Sequence, residues 1–220
     1  MTNETLINLT IPFLKPSDNV RLALELFNEY KVSSLPVVNG GRFIGYLSED
    51  ILIDESGNKK ISQLFLNNEH VVAHSDLHYF ESLKQMQVHG LECIAIIDSD
   101  ENFKGVITLK DIALYISNMG FVASPGGILV LSVINANYSI TEISRIVESN
   151  DMKILCFYIE DNKEDGFESF ITLKLNKTDL SRLIASFERF GYKIEADYHE
   201  SVFQPIETER LDMLMKYLSI

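Results

Sequence analysis

The sequence predicts an α+β chain in two parts: a tandem pair of strand–helix–strand–strand–helix units, then a single βαββαβ unit. Three observations carry this reading. Residues 17–38 (SDNVRLALELFNEYKVSSLPVV) and 75–96 (SDLHYFESLKQMQVHGLECIAI) echo one another at a shift of 58. In both, apolar residues three and four apart give way to a short apolar run bounded by turn residues. Past a stretch of small residues, the periodicity then reads strand, helix, two strands, helix and strand, with no second copy.

The first helix places Val20, Leu24, Phe27 and Tyr30 on its apolar face, and the second places Phe80, Leu83, Met86 and Val88 there. LPVV and CIAII are short strands. NGG (39–41) is a two-residue hairpin signal, and DSDEN (98–102) is a turn two residues longer, so the shift becomes 60. RFIGYL and FKGVIT are the return strands. Each copy closes on a helix start. Ser48-Glu49-Asp50 offers a cap with acids in the first turn, and Thr108 with Asp111 offers a capping box. A unit of this size cannot cover its own sheet, so the two copies are expected to pack together, over repeats of about 5–60 and 61–120.

SNMGFVASPGG (117–127) reads as a linker. Beyond it, ILVLSVI (128–134) is a strand, and Ser139 with Glu142 opens a helix over 140–149. KILCFYIE (153–160) and FESFITLKL (167–175) are strands. A helix beginning at Thr178 or Asp179 stops at Gly191, and YKIEADY (192–198) is the last strand. This order is ferredoxin-like. The tail at 201–220 spaces Leu211, Leu214, Met215 and Leu218 as one helical face.

Composition narrows the function. The 220 residues carry a net charge of −13, with 9 Lys+Arg against 16 Asp+Glu in residues 1–122 and 10 against 16 in the rest. With no basic run, direct nucleic-acid binding is not expected. No apolar run approaches a membrane span, and the first ten residues lack the pattern of a secretory signal. Cys93 and Cys156, each in an apolar segment, read as buried free thiols in a cytoplasmic protein. His70, His74 and His78 are four apart, yet VVA (71–73) reads as strand, so they are not expected to converge on a metal. No nucleophile with a base and no P-loop is present, so the chain reads as non-catalytic, with no cofactor.

SSLPVVNGGRFIGYLS, with GVITLKDI closing the second copy, resembles a tandem pair of CBS domains over roughly residues 5–120. That resemblance implies a regulatory module whose clefts take adenosine-containing ligands such as AMP, ADP, ATP or S-adenosylmethionine. It also implies roles for the Gly-apolar-x-Ser/Thr-x-x-Asp turn, in which Asp accepts from ribose hydroxyls and Ser/Thr lies near sugar or phosphate. Gly105, Thr108 and Asp111 match that turn. In the first copy Gly45 and Ser48 match, but Ile51 stands at the Asp position, which implies at most a weak second cleft at Ser48. The resemblance further implies a cleft built across the repeats, setting the 105–111 turn against Lys15 and against Ser34, Leu35 and Pro36. A purely structural cap at Thr108/Asp111 remains an equal reading, since one turn can do both.

GILVLSVINANYSITEISRIVESNDMKILCFYIED (127–161) resembles an ACT domain, here over 126–200. This implies pairing into a homodimer and an effector loop at Asn135, Asn137 and Tyr138, where Tyr138 replaces the expected Gly. The order of domains is similar to that of acetoin-utilisation-type CBS-ACT regulatory proteins. A regulated enzyme or transporter is the partner class this implies. The alternative expectation is a ligand-free adaptor.

Overall fold

The computed structural model describes residues 2–134, 138–163 and 166–198. The tail helix expected over 201–220, and Asn135 and Asn137 of the expected effector loop, lie outside the described residues. The chain divides into two compact units, Met1–Asn118 and Met119 onward.

In the first unit, Leu14 forms a parallel bridge to Val37, a reduced version of the first strand of the repeat. Helix α1 (Val20–Tyr30) follows, then strands β1 (Ser34–Asn39) and β2 (Arg42–Ser48) as an antiparallel hairpin. The second repeat has a true first strand, β3 (Val72–His74), parallel to β4 (Cys93–Ile97), which pairs antiparallel with β5 (Phe103–Thr108). Helix α2 (Tyr79–His89) connects β3 to β4, and α3 (Leu109–Ser117) follows β5.

The copies are equivalent at a shift of 59 through the first helix and strand, not 58. Leu14 pairs with Val37 as Ala73 pairs with Ile96, and α1 spans 20–30 as α2 spans 79–89. The Ser-Asp echo at a shift of 58 has no structural counterpart, because the caps fall elsewhere. Asn19 caps α1, its side chain accepting from the Leu22 N–H, and the His78 ring caps α2 by accepting from the Phe80 N–H. The buried faces move accordingly. Val20, Ala23 and Phe27 point inward in α1, and Tyr79, Ser82 and Met86 in α2. Leu24, Phe80 and Val88, expected inside, are 39%, 59% and 62% exposed. Ala23 and Ser82 occupy equivalent positions, where a small residue lets the helix lie close to its sheet; the Ser82 hydroxyl donates to Asn3 Oδ1 at 2.7 Å.

The helix expected after Ser48 is one 3₁₀ turn, Glu49–Leu52, and the Ser48 side chain makes no cap. The sequence explains this: after Leu52 comes Ile-Asp-Glu-Ser-Gly, with no apolar spacing to hold a longer helix against the core. In α3, Ile112 is buried and the capping box is complete.

The second unit opens with a single turn, α4 (Gly120–Ala123), and continues as β6 (Ile128–Ile134), α5 (Ile140–Ser149), β7 (Ile154–Asp161), β8 (Glu168–Leu175), α6 (Ser181–Arg189) and β9 (Lys193–Tyr198). Its antiparallel sheet has the order β7-β8-β6-β9. Alternate residues Leu129, Leu131, Ile171, Leu173 and Leu175 face Ile143, Ile146, Leu183 and Phe187 of the helices. Full burial of each such side chain contributes about 1.5–3 kcal/mol. Only half of the box expected at α5 forms. Ser139 accepts from the Glu142 N–H, while the Glu142 carboxylate instead receives the Tyr192 hydroxyl at 2.8 Å. Cys93 is a buried free thiol, but Cys156 is only half-buried because β7 is an edge strand.

Candidate functional site

The GVITLKDI turn is built where β5 ends and α3 begins. Thr108 has extended backbone (φ −100°, ψ 159°), and its hydroxyl accepts from the Asp111 N–H at 3.1 Å. The Asp111 carboxylate answers: its Oδ2 accepts from the Thr108 N–H at 2.9 Å and from the Thr108 hydroxyl at 2.6 Å. Its other oxygen, Oδ1, accepts from the Asn8 side-chain amide at 3.0 Å.

Asn8 carries no local signal in the sequence. It lies on the segment before the first repeat, which crosses the edge of β5: the Asn8 N–H donates to the Val106 carbonyl at 2.7 Å. Ile7 rides over Gly105. A Cβ at Gly105 would stand 2.6 Å from Ile7 Cγ2, and φ there is +144°. That crossing is why the turn needs glycine. The first repeat has the same device. Asn67 pairs with the Tyr46 backbone and its amide donates to the Ser48 hydroxyl at 3.2 Å, and a Cβ at Gly45 (φ +146°) would stand 2.8 Å from Leu66 Cβ. Ile7-Asn8 and Leu66-Asn67 are thus equivalent, a two-residue echo too short to stand out in the sequence.

The expected site residues fall in three places. Gly105, Thr108 and Asp111 gather around Asn8. Lys15 lines a separate cavity of about 520 Å³ with Phe13, Pro16, Phe103 and the 39–41 hairpin tip. Ser34 lines a third, of about 610 Å³, with Ser48, Glu49, Asp50, Asn67 and His89. The pairing explains the last assignment: Ser34 is the direct antiparallel partner of Ser48, as Cys93 is of Thr108 in the second repeat. Leu35 is fully buried in the first repeat's core, and the Pro36 carbonyl accepts from the Leu14 N–H at 2.8 Å. Both are framework.

The two repeats are locked together at equivalent residues. The Ser33 hydroxyl donates to Glu92 Oε2 at 2.8 Å, and the Cys93 thiol donates to the Ser34 carbonyl. Burial pushes that thiol up to about 12, so it is inert at neutral pH. Tyr46, fully buried, accepts from the Ala95 N–H at 2.7 Å and donates to the Val71 carbonyl at 2.9 Å.

In the second unit, Tyr138 lines a cavity of about 390 Å³ with Ser132, Glu142, Glu168, Tyr192 and Lys193. Burial first, then the hydrogen bond to Glu142, raises the Tyr192 hydroxyl to about 12. No helix among the described residues is long and apolar enough to cross a membrane.

Comparison with known proteins places the first unit. The CBS domain profile matches twice, at residues 6–58 and 61–118, together half of the chain. Inosine-5'-monophosphate dehydrogenase of Bacillus subtilis is 28% identical over 144 residues, covering 63% of this chain but only 30% of the enzyme. Among solved structures, a CBS domain pair/ACT domain protein of Thermotoga maritima has a TM-score of 0.48 at 19% identity, covering 53% of this chain and 96% of that one. CBSX2 in complex with AMP has a TM-score of 0.45 at 21% identity, covering 53% and 98%.

Proposed function

The chain belongs to the CBS domain family, of which it carries two copies in tandem, and on that premise we propose that it is a non-catalytic regulator whose CBS pair binds an adenosine-containing ligand at the Thr108/Asp111 turn. One observation carries the reading. Asp111 is held by its own cap through Oδ2, while Oδ1 is satisfied by a single amide N–H from Asn8. Ribose hydroxyls can replace that N–H without disturbing the cap. The nine-residue α3 presents its N-terminus at the same turn, which favours a phosphate.

Regulation then requires that the ligand favour one arrangement of the protein over another. In this proposal residues 1–120 are the sensing pair. Residues 126–200 form a ferredoxin-like ACT module that pairs two chains into a homodimer in the cytoplasm, and the regulated partner is an enzyme or transporter. What supports the ACT assignment is the βαββαβ order with the sheet order β7-β8-β6-β9. The cavity beside Tyr138 is the matching place for an effector.

A second reading, a ligand-free adaptor, has its own support: Thr108, Asp111 and Asn8 already satisfy one another. A thermal-shift screen of AMP, ADP, ATP and S-adenosylmethionine separates the two. A ligand at 100 times its Kd adds about 2.7 kcal/mol of stability. A shift in the native protein that disappears in Asp111→Ala supports the sensor, and no shift with any of the four supports the adaptor.

A further inference from the structure

The two closing turns of the CBS pair occupy equivalent places in their repeats and are chemically opposite, which makes each a control for the other. Ser48 stands where Thr108 does, and Asn67 where Asn8 does. The three residues after the hydroxyl differ: Leu109-Lys110-Asp111 in the second copy, Glu49-Asp50-Ile51 in the first. The second turn thus carries no net charge and the first carries −2. Neither Glu49 nor Asp50 has an ion-pair partner among the described residues, and no Lys or Arg lines the cavity of about 610 Å³ that they border.

A second, independent observation points to a ligand there. Ser34 is 5% exposed and lines this cavity, yet its hydroxyl has no hydrogen-bond partner among the described residues. A buried hydroxyl left unpaired is unfavourable, and a group entering the cavity with a donor or acceptor relieves it. Asn67 and Asn68 border the same space, and Ile53, 78% exposed, adds an apolar edge.

We propose that the cleft between Ser34, Ser48, Glu49 and Asp50 is a second binding site, one for a small organic cation of the aliphatic amine class. The two carboxylates take the ammonium group, Ile53 takes the methylene stem, and Ser34 with Asn67 takes a further amine hydrogen bond. Phosphorylated nucleotides are repelled from this cleft by the same carboxylates and lack an aspartate at Ile51 to hold the ribose. The paired clefts therefore sort ligands by charge.

The test is titration calorimetry with spermidine and putrescine, with AMP and Mg²⁺ as comparison titrants. Four proteins are compared: the native chain, Glu49→Gln/Asp50→Asn, Asp111→Ala, and Glu25→Gln/Glu29→Gln. The last pair removes the same charge from the exposed face of α1, where both residues are exposed. The proposal expects saturable spermidine binding that weakens at least tenfold in Glu49→Gln/Asp50→Asn and is unchanged in the other two variants. Mg²⁺ should not reproduce it. Absence of saturable amine binding overturns the proposal, as does equal weakening by the α1 control, which would mean diffuse attraction to an acidic protein. Because Asp111→Ala reports on the other turn, the nucleotide reading fails or survives separately.

Discussion

Replacing Gly105 with alanine tests the crossing that shapes the candidate site. The new Cβ meets Ile7 Cγ2 at 2.6 Å, Leu9 Cδ2 at 3.3 Å and the Asn8 carbonyl at 3.6 Å. Two terms add. A non-glycine residue at φ +144° costs about 1–3 kcal/mol. Relieving the contact means turning Ile7 aside or lifting the segment from β5, an overpacking cost of about 1–3 kcal/mol. The expected loss is about 2–6 kcal/mol, a large share of the roughly 5–15 kcal/mol that holds a domain together. Gly40→Ala is the control: φ there is +57°, with nothing within 4 Å of the added Cβ, so only a backbone term of about 1–2 kcal/mol applies. Urea unfolding followed by circular dichroism measures both. Adding Ile7→Ala to Gly105→Ala should recover about 1 kcal/mol or more relative to additivity. A Gly105→Ala protein no less stable than Gly40→Ala, or a double variant showing no coupling, would refute the account of the crossing.

Further outcomes follow from the same structure. Thr108→Ala should destabilise the first unit by about 1–2 kcal/mol through loss of a complete capping box, while Ser48→Ala, whose hydroxyl caps nothing and only accepts from the half-buried Asn67 amide, should cost less, about 0.5–1 kcal/mol; parallel melts compare them. Tyr46→Phe orphans the Ala95 N–H and the Val71 carbonyl in a fully buried place and should cost about 2–4 kcal/mol by denaturant titration. The Tyr192 hydroxyl, raised from 10.0 to about 12, makes a stabilising contribution that is fully present below pH 10 and is lost as pH rises toward 12. Tyr192→Phe should flatten that alkaline decline in stability, and an unchanged slope would contradict the assignment.

Much of this was legible in the sequence, for identifiable reasons. Strands came through because short apolar runs end at hairpin residues: the NGG turn at 39–41 and the apolar run CIAII mark their elements. The Thr108/Asp111 box was visible because a cap and its partner are three residues apart, a purely local relation. What escaped was what tertiary contact decides. Nothing local says that Ser48 begins only a single turn, nor that Asn67 will take its hydroxyl. The helix faces slipped because the Ser-Asp echo suggested a shift of 58, whereas the Asn19 and His78 caps set it at 59. Asn8 stayed hidden because its partner Asp111 lies 103 residues away. Nor does anything local say that Ser34 lines a cavity with Ser48, its antiparallel partner.

A nucleotide site at the Thr108/Asp111 turn is tested by titration calorimetry of AMP, ADP, ATP and S-adenosylmethionine into the native chain, Asp111→Ala and Asn8→Ala. Saturable binding of at least one adenosine-containing ligand to the native chain is expected. That binding should be lost in Asp111→Ala and equal or tighter in Asn8→Ala, where no amide competes for Asp111 Oδ1. Binding that persists undiminished in Asp111→Ala, or no binding of any of the four, would contradict it.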